Sequence, residues 1–358
     1  MWFFSENHAL LFHVCELLAG QLFPDERFSN GETGAEHRRK AEERLTLWFE
    51  RFFREGLAEW NSNAYIPIDA LGLLHLYDLA ESAALKQSAK QALDLLFYYI
   101  AVHAHAGRLM ATYGRSYEKE LKGHYSAGTT SMCWIAYGAG NLNAHSLSNV
   151  IFCLSDYEPP EAYRELLYPD GNGFVFRYQQ GAGGYAQLYL YKTKDFVLSS
   201  IADFRPGKAG YQEHVMHYAA SPEAQIWVNH PGELHSYGSG RPSFWAGNGT
   251  LPKAGQYVGL AVLLYRLDPH HDADFVHAFL PVDEFDEWRR KGAWVLVRKG
   301  EAYAALWCSN GMALVEHGAN RTRSIRLLQP SLGAHRVDQF GFVHVRFLLS
   351  WCVDATFG

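Results

Sequence analysis

The stretch SDYEPPEAYRELLYPDGNGFVFRYQ, residues 155–179, decides the fold. Its first part is rich in proline, glycine and acid and reads as a linker over 156–173. From Phe174 the apolar spacing shortens to two. The segments FVFRYQ (174–179), YAQLYLYK (185–192), FVLSSIADF (196–204), AQIWVNH (224–230), YVGLAVLLYRL (257–267), DFVHAFLP (274–281), AWVLVRKG (293–300), AYAALWC (302–308) and VHVRFLLSWCV (343–353) follow. They are short, aromatic and β-branched, and glycine, proline and asparagine separate them, so they read as strands. Many strands without intervening helices predict an antiparallel β-sandwich over 174–358.

Upstream, residues 1–155 read as helical. Leu10, Leu11, Val14, Leu17 and Leu18 fall at helical spacing, with Gly20 near the stop. AEHRRKAEERLTLWFERFFREG gives a second, charged helix ending at Gly56, with Leu45, Trp48, Phe49, Phe52 and Phe53 as its stripe. Further helices are predicted from about Pro67, over 85–105, over 128–139 and near 144–152. Alternating helices fit a helical toroid or bundle. The fold class is therefore α+β and multidomain.

Composition narrows function. Lys plus Arg number 32 against 38 Asp plus Glu, a formal charge of −6, which gives nucleic acid no bulk reason to bind. No apolar run approaches the roughly 20 residues that span a bilayer, so no membrane partner is expected. Five scattered cysteines without a CxxC argue against a disulfide framework. The start, MWFFSENH, enters a helix with no basic n-region, which reads as no signal peptide or as a fragment of a longer chain, and leaves localisation open. With 10 Trp, 21 Tyr and 22 Phe the chain is rich in the flat rings on which sugars stack.

Short loops make consecutive helices antiparallel neighbours. The starts of the first, third and fifth predicted helices should then share a rim. Glu6-Asn7-His8 opens the first, Asn63-Ala64-Tyr65 precedes the third, and Arg115, Tyr117, Lys119, Glu120, His124 and Tyr125 precede the fifth. Singly, each has an ordinary reading: Ser5 and Asn7 as caps, Tyr65 as packing at a helix entry, Arg115 paired with a nearby glutamate. Jointly they suit β-elimination on a uronic acid. Asn7 would neutralise the carboxylate, so that charge can build in an enolate-like transition state. His8 would take the C5 proton and Tyr65 would protonate the departing O4. Arg115 would hold an anionic sugar.

Helices followed by a sheet domain, with Asn7-His8 lying 58 and 57 residues before Tyr65, resemble the toroid-plus-β-sandwich polysaccharide lyases, the heparinase II/III-like and alginate or oligoalginate lyases. In some of these an Asn-His dipeptide supplies neutraliser and base, and a Tyr somewhat under sixty residues later supplies the acid. The resemblance implies a carbon–oxygen lyase with an acidic polysaccharide or oligosaccharide as its partner. It departs from the family in having few helices before Asn7, which implies an incomplete toroid completed by a missing N-terminal segment or by another copy in a homo-oligomer. The family also implies a residue from the sheet half, for which Tyr211 and His214 are the candidates, with Trp245 as a sugar platform. The expected cofactor is none, with a structural zinc as the remaining option. His214 and His217, at i, i+3, would point to opposite faces of a strand; His230, His235 and His270-His271-Asp272 lack recognised ligand spacing. Two alternatives stand beside the lyase: a glycoside hydrolase using Glu6, Asp69 and Glu213, and a non-catalytic glycan-binding protein.

Overall fold

In a computed structural model, the described residues are 5–145, 148–171, 173–236 and 238–308, plus strands at 312–317, 322–327 and 342–348. They form α-helices and antiparallel sheets. Two compact units emerge, and the chain passes between them more than once. The helical unit is Met1–Leu109, His124–Leu167 and Gln180–Gly184; the sheet unit is Met110–Gly123, Tyr168–Gln179 and Tyr185–Gly358.

The helical unit contains α1 (Glu6–Leu22), α2 (Gly34–Glu55), α3 (Ile66–Leu79), α4 (Ala83–His103), a hairpin of β1 (Ala104–His105) and β2 (Arg108–Leu109), then α6 (Gly128–Tyr137) and α7 (Ser148–Leu154). The short α5 (Glu118–Lys122) belongs to the sheet unit. In α1 the buried residues Asn7, Leu10, Val14, Leu17 and Gly20 repeat every three or four positions and form one face. Gly20 is not the stop: α1 continues to Leu22, and a Cβ at Gly20 would sit 2.5 Å from the Gly34 carbonyl oxygen and 2.8 Å from the Arg38 nitrogen. The glycine lets α1 approach the start of α2. Thr33 and Glu36 form a reciprocal capping box there, and Gly56, at φ 69°, ends α2. Phe53 lies off the expected stripe and is exposed. Pro67 lies in the first turn of α3, where a missing N–H costs nothing. Leu73, Leu74 and Leu76 of α3 are fully buried, each contributing roughly 1.5–3 kcal/mol.

The sheet unit has β3 (Phe174–Gln180), whose last residue belongs to the helical unit, β4 (Ala186–Lys192), β5 (Val197–Ala202), β6 (Met216–Ala219), β7 (Gln225–Asn229), β8 (Lys253–Tyr257), β9 (Leu260–Arg266), β10 (Val276–Phe279), β11 (Glu287–Lys291), β12 (Trp294–Lys299), β13 (Ala302–Cys308), β14 (Met312–His317), β15 (Thr322–Leu327) and β16 (Phe342–Leu348). One sheet runs β14-β15-β10-β7-β6-β5-β4-β3 and the other β11-β12-β13-β16-β9-β8. Strands β6, β7 and β10 are buried on both faces, whereas β9 and β13 alternate with each residue. The charged β11, EWRRK, is an edge strand with mostly exposed side chains. Strand β5 meets β8, where the Asp203 N–H donates to the Ala254 carbonyl at 3.2 Å.

Candidate functional site

In the helical unit, the N-terminus of α1 is held against the segment that leads into α3. Ser5 is the N-cap and its hydroxyl donates to Asn7 Oδ1 at 2.6 Å. Asn7 Oδ1 also accepts from the His8 backbone N–H at 2.7 Å, and Asn7 Nδ2 donates to Glu59 Oε2 at 3.2 Å. Asn7 is 1% exposed, while the His8 side chain is exposed. His8 Nδ1 lies 2.5 Å from Ser5 Oγ. With the Ser5 hydroxyl assigned as donor to Asn7, the tautomer that completes this network has His8 Nδ1 as the donor. The neutral imidazole then carries its lone pair on Nε2.

Glu6 makes a second clamp on the same segment. Its Oε2 accepts from the Ala58 N–H and its Oε1 from the Glu59 N–H, both at 2.8 Å. Trp48 Nε1 donates to the Glu6 carbonyl at 3.0 Å. Burial pushes the Glu6 carboxyl up to about 7, the neighbouring Glu59 charge adds to this, and the two backbone bonds oppose it. Asp69, in the first turn of α3 and 1% exposed, is pushed well above the usual carboxylate range by burial, then by Glu6 and Glu59. Its Oδ1 meets no hydrogen-bond donor among the described residues.

The segment between these clamps and α3 is buried: Trp60, Asn61, Ser62 and Asn63 are each at most 4% exposed. Asn61 sits at φ 54°, a left-handed conformation that asparagine tolerates better than most residues. Asn63 Oδ1 accepts from the Thr129 hydroxyl at the start of α6, and its Nδ2 donates to the Leu109 carbonyl at 3.5 Å. Tyr65 is the half-buried N-cap of α3. One loop, 57–65, thus ties the starts of α1, α3 and α6 together. Tyr125 is exposed, with the Arg108 guanidinium 4.1 Å from its ring centre. The His124 side chain lies outside the described residues.

Arg115 and Tyr117 belong to the sheet unit, whereas this loop belongs to the helical unit. Tyr113 exchanges backbone bonds with His214 at 3.1 and 2.8 Å, and the Ser116 N–H donates to the Gln212 carbonyl, which draws the segment into strand-like pairing. Arg115 donates to the Tyr117 hydroxyl at 3.0 and 3.3 Å, and its guanidinium lies 5.9 Å from the ring of Tyr211. Arg241 lies 5.8 Å from the Tyr117 ring. Tyr211 is exposed, and its N–H donates to Glu213 Oε2 at 2.5 Å; Glu213 also faces Arg205 at 3.8 Å. Glu213 is in the sheet unit, whereas Glu6 and Asp69 are in the helical unit.

Two sheet-half expectations change. His214 and His217 do not diverge: their rings meet at 3.0 Å, Nε2 to Nδ1, because His214 lies outside β6 and the strand alternation does not reach it. Both are buried. Trp245 is 1% exposed and is no open platform; it stacks on His277 at 4.5 Å beneath the Lys122 ammonium at 4.6 Å. Among the described residues no group of three or more His, Cys, Asp or Glu is placed to hold a metal ion, so the zinc option finds no ligand set there. No described helix is long and apolar enough to cross a membrane. Sequence reasoning missed Glu59 and Thr129, and only the polar run WNSNAY (60–65) signalled the loop that joins them, whereas Arg241 stood out in the glycine-rich stretch RPSFWAGNGTLP.

No protein-family model matches the chain, and no curated protein matches its sequence.

Proposed function

We propose that the chain is a polysaccharide lyase that cleaves a uronic-acid-containing glycan by β-elimination, akin to the heparinase II/III-like and alginate lyases. On this reading the helices form part of an α/α toroid and the two sheets a β-sandwich. One observation carries the proposal: the 57–65 loop holds Asn7 and leads directly into Tyr65, while His8 beside Asn7 is exposed with Nε2 as its basic nitrogen. His8 Nε2 takes the C5 proton. Asn7 gives one amide hydrogen to Glu59 and its second to the sugar carboxylate, which steadies the enolate-like charge. The Tyr65 phenol protonates O4 as the C4–O4 bond breaks, and the electron pair left at C5 forms the new double bond. Arg115, Tyr117 and Tyr211 are assigned to holding acidic sugar units through charge and ring contact.

The glycoside-hydrolase reading draws on the raised Glu6 carboxyl, the hallmark of a general acid. Both Glu6 oxygens are committed to backbone amides, however, which weighs against Glu6 as the acid of a hydrolase. Screening the full chain on alginate, glucuronan, hyaluronan, heparan sulfate and chondroitin tests the proposal. New ultraviolet absorbance from an unsaturated uronate supports a lyase. New reducing ends without absorbance support a hydrolase, and no cleavage of any of them removes the lyase reading.

A further inference from the structure

The sheet unit carries a second polar surface that shares no residue with the loop at 57–65. On β3, Arg177 and Gln179 are two apart and share a face; on β4, Gln187 and Tyr189 do the same. The two faces are one, because Gln179 Nε2 donates to Gln187 Oε1 at 2.7 Å and the Arg177 guanidinium lies 4.8 Å from the Tyr189 ring centre. With Tyr178, Leu188, Ala202 and Gln256 these residues line a groove of about 530 Å³. That volume falls within the usual range of small-ligand sites, roughly 300–1,000 Å³.

The floor of the groove is fixed. The Tyr189 hydroxyl accepts from the Val258 N–H at 2.8 Å. Gln256 Nε2 donates to the Leu198 carbonyl at 3.1 Å and to the Val258 carbonyl at 2.9 Å. These bonds hold the end of β8 and Val258, a β-branched residue at φ 50°, in place. Arg177, Gln179 and Gln187 are exposed above that floor.

The lining chemistry is selective. It contains one guanidinium, three carboxamides and two phenols, and no carboxylate. Each carboxamide of the bonded Gln179–Gln187 pair combines an acceptor oxygen with a donor amino group, the two functions a sugar diol meets. The guanidinium matches a carboxylate through paired N–H bonds.

We propose that this groove binds a short acidic oligosaccharide, with Arg177 on a uronate carboxylate and the Gln179–Gln187 pair on ring hydroxyls. It is a glycan-holding site separate from the bond-breaking residues. The choice of an acidic sugar agrees with the lyase reading but rests on the lining residues, so binding here does not require turnover.

The test uses full-length Tyr65→Phe protein, to suppress cleavage, and titration calorimetry with three probes: tri-mannuronate, tri-galacturonate and cellotriose. At least one uronate trimer is expected to bind, more weakly as salt rises, and cellotriose is not. Arg177→Ala should weaken that binding at least tenfold, Arg177→Lys should restore part of it, and Gln187→Ala should weaken it several-fold. Unchanged circular dichroism shows that the exposed Arg177 can be replaced without loss of fold. Uronate binding that ignores Arg177, cellotriose binding of equal strength, or no binding of any trimer would overturn the proposal. Loss of the lyase reading shows instead as absent ultraviolet product, whatever the groove binds.

Discussion

Glu6→Gln separates two effects of one buried carboxyl. The Glu6 carboxyl stands near 7 in the folded chain against 4.5 in an unperturbed glutamate. Between those values the folded state holds a proton that the unfolded state has lost. Stability from this group is therefore complete below the unfolded value and declines as pH rises through the folded one. Each pH step of one between the two values is worth about 1.4 kcal/mol, so the full loss is about 3 kcal/mol. Glutamine carries no such dependence. In acid it offers one carbonyl oxygen where Glu6 serves both the Ala58 and Glu59 N–H groups, which costs about 1 kcal/mol. The parent should thus be more stable by about 1 kcal/mol near pH 4.5, and the variant more stable by about 2 kcal/mol at pH 8, with the crossover between about pH 5 and pH 6. Urea unfolding followed by helical circular dichroism at several pH values measures this, since the long helices lie in one unit. A difference between parent and variant that stays constant from pH 4.5 to 8, or that widens in favour of the parent, would refute burial as the cause of the raised carboxyl.

Three other outcomes are expected. Tyr65→Phe should abolish elimination while a uronate oligosaccharide still binds, measured by product absorbance and calorimetry side by side. Gly20→Ala should lower stability by roughly 1–3 kcal/mol, because the added methyl meets the Gly34 and Arg38 backbone rather than a movable side chain; thermal unfolding reads this. Trp245→Ala should cost roughly 3–5 kcal/mol by opening a cavity beside His277, and a drop in melting temperature separates that effect from any loss of sugar affinity.

Local pattern was legible wherever one face is buried. The α1 residues Leu10, Val14 and Leu17 and the α2 residues Leu45, Phe49 and Phe52 are periodic because each helix buries one side, and the sequence shows it. Gly20 misled because a glycine that permits close helix approach looks the same as one that ends a helix. Strand β6 was hidden in HVMHY because it is buried on both faces and has no alternation to read. Strand β11 was hidden for the opposite reason, since an edge strand of Glu, Trp, Arg and Lys carries almost no apolar signal. The site was legible in its residue types but not in its pairings. Asn7 and Tyr65 stand out as polar residues at helix starts, but the link through Glu59 is a contact across 52 positions that no spacing rule supplies. The pairing of Arg115's segment, strand-like, with residues near Gln212 was hidden because about a hundred positions separate the two. Trp245 was taken for a surface ring because its flanks, glycine, serine and asparagine, resemble an open loop, whereas His277 and Lys122 cover it.

The most direct measurement of bond cleavage by His8 and Tyr65 is product analysis in water labelled with heavy oxygen, on whichever acidic glycan the screen identifies. β-Elimination predicts products that absorb in the ultraviolet and carry no label, lost together in His8→Ala and Tyr65→Phe. Labelled, non-absorbing products that persist in both variants would contradict it.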